Sequence, residues 1–158
     1  MQETAENLRD VIKNILPLLK KINESKASAR PKPEKWSPKE IIGHLIDSAN
    51  NNQMKFVKCI ETNDLNVIGY HQNEWVTIQK YNTYDWDTLL DFWVLFNYHI
   101  AHIIENVHET SLSNEIKVEG VGPFKLEFIM KDYVEHLKHH LNQVLPNLGL
   151  TSRFKMVY

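Results

Sequence analysis

The amino-acid sequence predicts an all-α fold, a four-helix bundle, and three observations predict it. Four stretches of roughly 20 residues carry apolar side chains at three- and four-residue intervals, the spacing of one helical face. No stretch alternates strongly enough to argue for a sheet. The composition is that of a folding chain: 158 residues, 42% hydrophobic, 24% charged and only 5 glycines. That length suits one domain, residues 1–158, around a single core.

The first helix covers about residues 4–23, where Leu8, Val11, Ile12, Ile15, Leu16, Leu19 and Ile22 share a face. Pro17 lies inside it and can kink or divide it, because proline lacks the donor a helix interior needs. Residues 25–35 form a polar linker broken by Pro31 and Pro33. The second helix starts clearly. Ser37 caps it, Pro38 suits its first position, and Glu40 completes a capping box, so the helix should run to about residue 61.

Between the second and third helices, residues 62–85 read as a long ordered loop with room for a short helix near residues 73–80. Long loops in compact domains often carry function. Leu89, Phe92, Trp93, Phe96, Ile100, Ile103 and Val107 mark the third helix, about residues 85–108, with an aromatic stripe belonging to the core. Residues 115–118 alternate weakly before Gly120, Gly122 and Pro123, so a hairpin or short extended excursion fits there. The fourth helix spans about residues 125–145 and is stopped by Pro146 and Gly149. A tail follows, in which Phe154, Val157 and Tyr158 could dock.

Charge and composition exclude several functions. With Lys+Arg 18 against Asp+Glu 20, there is no basic excess for a phosphate backbone, so nucleic acid is not expected as a partner. No run reaches the roughly 18 apolar residues of a membrane span. The start of the chain is acidic rather than signal-like, and Cys59 has no disulfide partner. A cytoplasmic location is expected.

The histidines, 8 in all, require explanation. On the fourth helix each residue advances about 100°, which places His140 about 60° and His136 about 100° from the centre of the stripe formed by Leu126, Met130, Tyr133, Leu137 and Leu141. His139 falls about 160° away, on the solvent side. His136 and His140 therefore stand one turn apart at the edge of the buried face, a spacing that lets two imidazoles converge on one ion. On the second helix His44, Ser48, Asn51 and Lys55 form a polar stripe beside an apolar face. If His44 faces the fourth helix, three neutral imidazoles meet and leave a coordination position open. An isolated pair of this kind is, however, commonly two ordinary surface histidines. His99 and His102 read as surface residues or as supports for a ligand rather than ligands, Cys59 as core packing, and Ser48 has no triad around it.

The segment Trp36, Ser37, Pro38, Glu40 and His44, the loop residues Tyr70, Gln72 and Trp75, and the distant His136, His140 and Gln143 together resemble the DinB/YfiT-like superfamily over nearly the whole chain. The resemblance implies a bundle whose chain order departs from up-down-up-down. It also implies a three-histidine metal site, with His44, His136 and His140 at the ligand positions and nickel or zinc as the ion. Asp47, Ser48, His71 and Gln143 become candidates for orienting ligands or contacting substrate, although His71 stands where many relatives carry an acidic residue. Members of the family are described as metal-dependent hydrolases. Others are thiol S-transferases using bacillithiol or mycothiol, and dimers are common. The expected activity is accordingly a low-molecular-weight-thiol S-transferase, placed narrowly ahead of a hydrolase, acting on a small molecule as a homodimer. The alternative is a non-catalytic metal- or ligand-binding stress-response bundle.

Overall fold

The computed structural model describes residues 1–155; Val157 and Tyr158, named above for docking, lie outside them. Four long helices dominate: α1 (Gln2–Leu19), α3 (Pro38–Thr62), α5 (Trp86–Asn106) and α6 (Leu126–Val144). Between them lie two shorter helices, α2 (Glu24–Ser28) and α4 (Gln72–Gln79), and three strands, β1 (Asp64–Val67), β2 (Glu115–Val118) and β3 (Val121–Lys125).

Each long helix forms because one face can be buried. Leu8, Ile12, Ile15 and Leu19 of α1 meet Leu89, Trp93, Ile100 and Ile104 of α5, all inaccessible to solvent or nearly so. Pro17 lies in the last turn of α1, where it cannot donate to Lys13 O, and the helix ends at Leu19. At the head of α3 the capping box is complete. Ser37 N donates to Glu40 Oε2 at 2.8 Å and Glu40 N donates to Ser37 Oγ at 3.2 Å, with Pro38 in the first turn.

The helix order is not up-down-up-down. α1 packs on α5 and α6, and α3 packs on the same two, so α1 and α3 occupy opposite corners. This arrangement lays α3 against α6.

The expectation of an all-α chain requires correction, because the three strands form a small sheet in the order β1-β2-β3. β2 and β3 are the hairpin that fits residues 115–125, and β1 adds to β2 in parallel, with Asp64 opposite Glu115. Strands of four or five residues alternate too briefly to show in the sequence, and the parallel partner of β1 lies about fifty residues away. The stretch between α3 and α5 thus contains β1, α4 and a single 3-10 turn at Tyr81–Thr83. Phe92 also departs from expectation. It is 47% exposed on the outer side of α5, stacked on Phe96, while Asn97 takes a buried place with its side chain bonded to Trp93 O and Tyr133 Oη.

Candidate metal centre

The site forms where the second turn of α3 faces the last turns of α6. His44 is fully buried on α3. Its Nε2 lies 3.3 Å from Nε2 of His136, and the ligating atoms of His44, His136 and His140 all lie within 4.8 Å of one another. Two nitrogens bound tetrahedrally to one ion at about 2.0 to 2.1 Å stand about 3.3 Å apart, so the spacing of the first pair is that of two ligands sharing an ion. His139 is exposed, as the helical phase requires, and stays outside the ligand group, although its ring lies 5.1 Å from that of His140 at the rim of the cleft.

Electrostatics favour the neutral, ligating form. Burial, then the charge of His140, pushes His44 down to about 3. His140 is lowered to about 4 by burial and then by His139. His136 falls well below its ordinary value through burial first and the neighbouring imidazoles second, with Lys55 contributing. A buried imidazolium would lose hydration without a counter-ion, so each ring keeps a lone pair at neutral pH.

Neighbours present those lone pairs to the centre. Gln143 Oε1 lies 3.3 Å from His140 Nδ1, and Ser48 Oγ lies 3.4 Å from His136 Nδ1. With protons held at both Nδ1 atoms, the Nε2 atoms are left as donors of electron pairs. Trp36, which closes the start of α3, sets its ring 5.0 Å from that of His44 and 6.5 Å from that of His140.

Asp47 does not hold His44. Its Oδ1 accepts from Tyr81 Oη and from Gln79 Nε2, both at 2.7 Å. Its Oδ2 and His44 Nδ1 are buried with no protein partner, an acceptor and a potential donor three residues apart on one helix. Burial raises the Asp47 carboxyl above its usual range, opposed by the Tyr81 and Gln79 bonds. Gly43 permits this arrangement, since a Cβ there would meet the Tyr81 ring at 2.2 Å. His71 is not brought to the centre: it is exposed at the start of α4, while its neighbours Tyr70 and Gln72 line the cleft. Cys59 is buried packing, its thiol pushed up to about 11 by burial and then by Asp64.

A cleft of about 290 Å³ between α3 and α6 is lined by His136, His139 and His140, with His44 buried behind them. Phe154 of the C-terminal segment walls it, its ring 4.9 Å from His136 and 5.5 Å from His139. That segment folds back along α6, with Ser152 Oγ donating to Glu135 O at 2.8 Å and Arg153 N donating to Glu135 Oε2 at 2.6 Å. A second cleft, about 420 Å³, reaches His140 and Gln143 from the side of Trp36 and Asn73. Tyr81, Gln79 and Asp132 carried no signal in the sequence, since each acts through a contact distant along the chain and belongs to no local motif, whereas Phe154, named above for docking, does dock, against His136.

The DinB_2 family model, described as the DinB superfamily, matches residues 7–144. A solved structure, YfiT from Bacillus subtilis, described as a probable metal-dependent hydrolase with an unusual four-helix bundle topology, superposes with a TM-score of 0.83 at 15% identity. The match covers 91% of this chain and 83% of that one. No curated protein matches. No helix among the described residues is long and apolar enough to cross a membrane.

Proposed function

The chain belongs to the DinB superfamily, and from that membership and the convergence of three imidazoles we propose that it is a metal-dependent hydrolase of a small molecule, with one divalent ion held by His44, His136 and His140. The observation that carries the reading is the 3.3 Å approach of two uncharged imidazole nitrogens, one on a buried ring and one on a half-buried ring, with a third beside them. Without an ion, at most one proton can lie between the first two, and one ring must then turn its Nδ1–H elsewhere. Three neutral nitrogens suit zinc or nickel.

The residues fit such an ion, which when bound supplies a Lewis acid that draws the pKa of water or a thiol toward neutrality. The protein does the rest. Gln143 and Ser48 fix ring orientation, Trp36 and Phe154 exclude bulk water from the two sides, and the cleft admits a substrate. Tyr70, whose phenol burial and then Asp47 hold far above its ordinary value, remains a protonated wall of that cleft. Hydrolysis is preferred because it requires only water and one substrate. Transfer of a low-molecular-weight thiol would use the same open position, with the second cleft beside His140 favouring it as a site for the other reactant.

The test begins with metal analysis of untagged protein. One equivalent of zinc or nickel is expected, retained in His139→Ala and lost in His140→Ala. Turnover of ester and amide panels by the loaded protein, with and without added cysteine or glutathione plus an electrophile, separates hydrolase from transferase. An absence of stoichiometric uptake overturns the proposal.

A further inference from the structure

Helices α3 and α6 run antiparallel along the cleft, with the histidines at one end and Lys55 and Asp132 at the other. Ser48 and Lys55 are seven residues apart and His136 and Asp132 four, which sets the two ends about 6 to 10 Å apart. Lys55 is partly buried, a position that disfavours an ammonium, and burial lowers its pKa against the opposing pull of Asp132. Ser48, Lys55, Asp132 and His136 line one continuous cleft, so a ligand held at the histidines comes within reach of the lysine.

The charge of the loaded cleft then has a definite sign. Three imidazoles bring no negative charge to a divalent ion, and Lys55 and Asp132 offset each other. A net positive charge remains facing the substrate, in a space with low-dielectric walls. The single lysine, already balanced in part by one carboxylate, matches a monoanion better than a phosphate dianion.

We propose that Lys55 anchors a carboxylate carried by the substrate at the end remote from the reacting bond, so that the cleft selects small acids over their neutral analogues. This rests on the metal-dependent reading above, which supplies the other end of the site. The competing account of Lys55 is a structural ion pair that clamps α3 to α6. The two differ in what Asp132 does: as half of a clamp it supports Lys55, whereas beside a bound carboxylate it repels the ligand.

The experiment measures binding of two hydroxamates to zinc-loaded protein by calorimetry: glutaric monohydroxamate, which has a distal carboxylate, and pentanohydroxamate, which has none. Wild type is expected to bind the first at least about tenfold more tightly. Lys55→Gln should equalise the two, Lys55→Arg should keep part of the preference, and Asp132→Asn should enlarge it. Zinc content should stay at the wild-type level in all three. A preference absent from wild type, one that survives Lys55→Gln, or a shift in the same direction in Lys55→Gln and Asp132→Asn overturns the proposal. If the protein takes up no zinc, the metal reading fails separately, and glutarate binding to the metal-free protein decides the anchor: loss of binding in Lys55→Gln supports it, and equal or absent binding in both overturns it.

Discussion

Replacing His140 by alanine tests the centre through its linkage to folding. An ion that binds only the assembled site stabilises it by about 2.7 kcal/mol when its free concentration is 100 times Kd. For a chain of this length each kcal/mol moves Tm by about 2 to 4 °C, so saturating zinc should raise wild-type Tm by about 5 to 11 °C. In His140→Ala two imidazoles remain, His44 and His136, at the 3.3 Å spacing. A two-ligand site at the same zinc concentration should give a shift of less than about 2 °C by the same relation. The metal-free variant should melt close to metal-free wild type, because the buried leucines, isoleucines and Trp93 that hold the bundle are untouched. Thermal scans by far-ultraviolet circular dichroism, run with a chelator and then with graded zinc, measure both quantities. A full zinc shift surviving in His140→Ala, or the same loss in the exposed control His139→Ala, would refute the assignment of His140 as a ligand.

Three further outcomes are expected. Gly43→Ala places a methyl group against the Tyr81 ring and displaces its bond to Asp47. It should cost about 2 to 3 kcal/mol in denaturant titrations, and a cost below about 0.5 kcal/mol would contradict the tight contact. Glu40→Gln should weaken the start of α3 by about 1 to 2 kcal/mol at pH 7. Burial raises the Glu40 carboxyl, but Arg30 and the Ser37 backbone outweigh it and hold the group below its ordinary 4.5. The native state therefore binds fewer protons than the unfolded chain, the stabilisation is present above that value and lost as pH falls through the lowered one, and urea midpoints of the variant and wild type should converge in acid. Trp93→Ala empties the largest fully buried site and should cost about 3 to 5 kcal/mol, read as a lowered midpoint.

Much of this architecture was legible in the sequence, for reasons particular elements make plain. The Ser37–Glu40 box announced α3 because capping is a local interaction. The phase of α6 separated His139 from His136 and His140 because Leu137 and Leu141 define the buried face. Local periodicity could not expose what depends on distant partners. β1 is a strand only because β2 lies beside it, Asp47 turns to Tyr81 rather than to His44, and Phe154 reaches His136 only after the chain has folded back from Leu145. Phe92 departs from the pattern because an aromatic ring at helical spacing suggests burial, while the smaller Asn97, paired with Tyr133, occupies the inside.

His44 and His136 are separated by 92 positions along the chain. Before the bundle closes, only the His136 and His140 pair is local enough to meet a cation, and a two-nitrogen grip is weak and non-selective. Under the proposed ligation, cation capture by all three rings would act as a timestamp on chain assembly: followed during refolding, high-affinity uptake should lag behind helix formation and coincide with the arrival of α3 against α6.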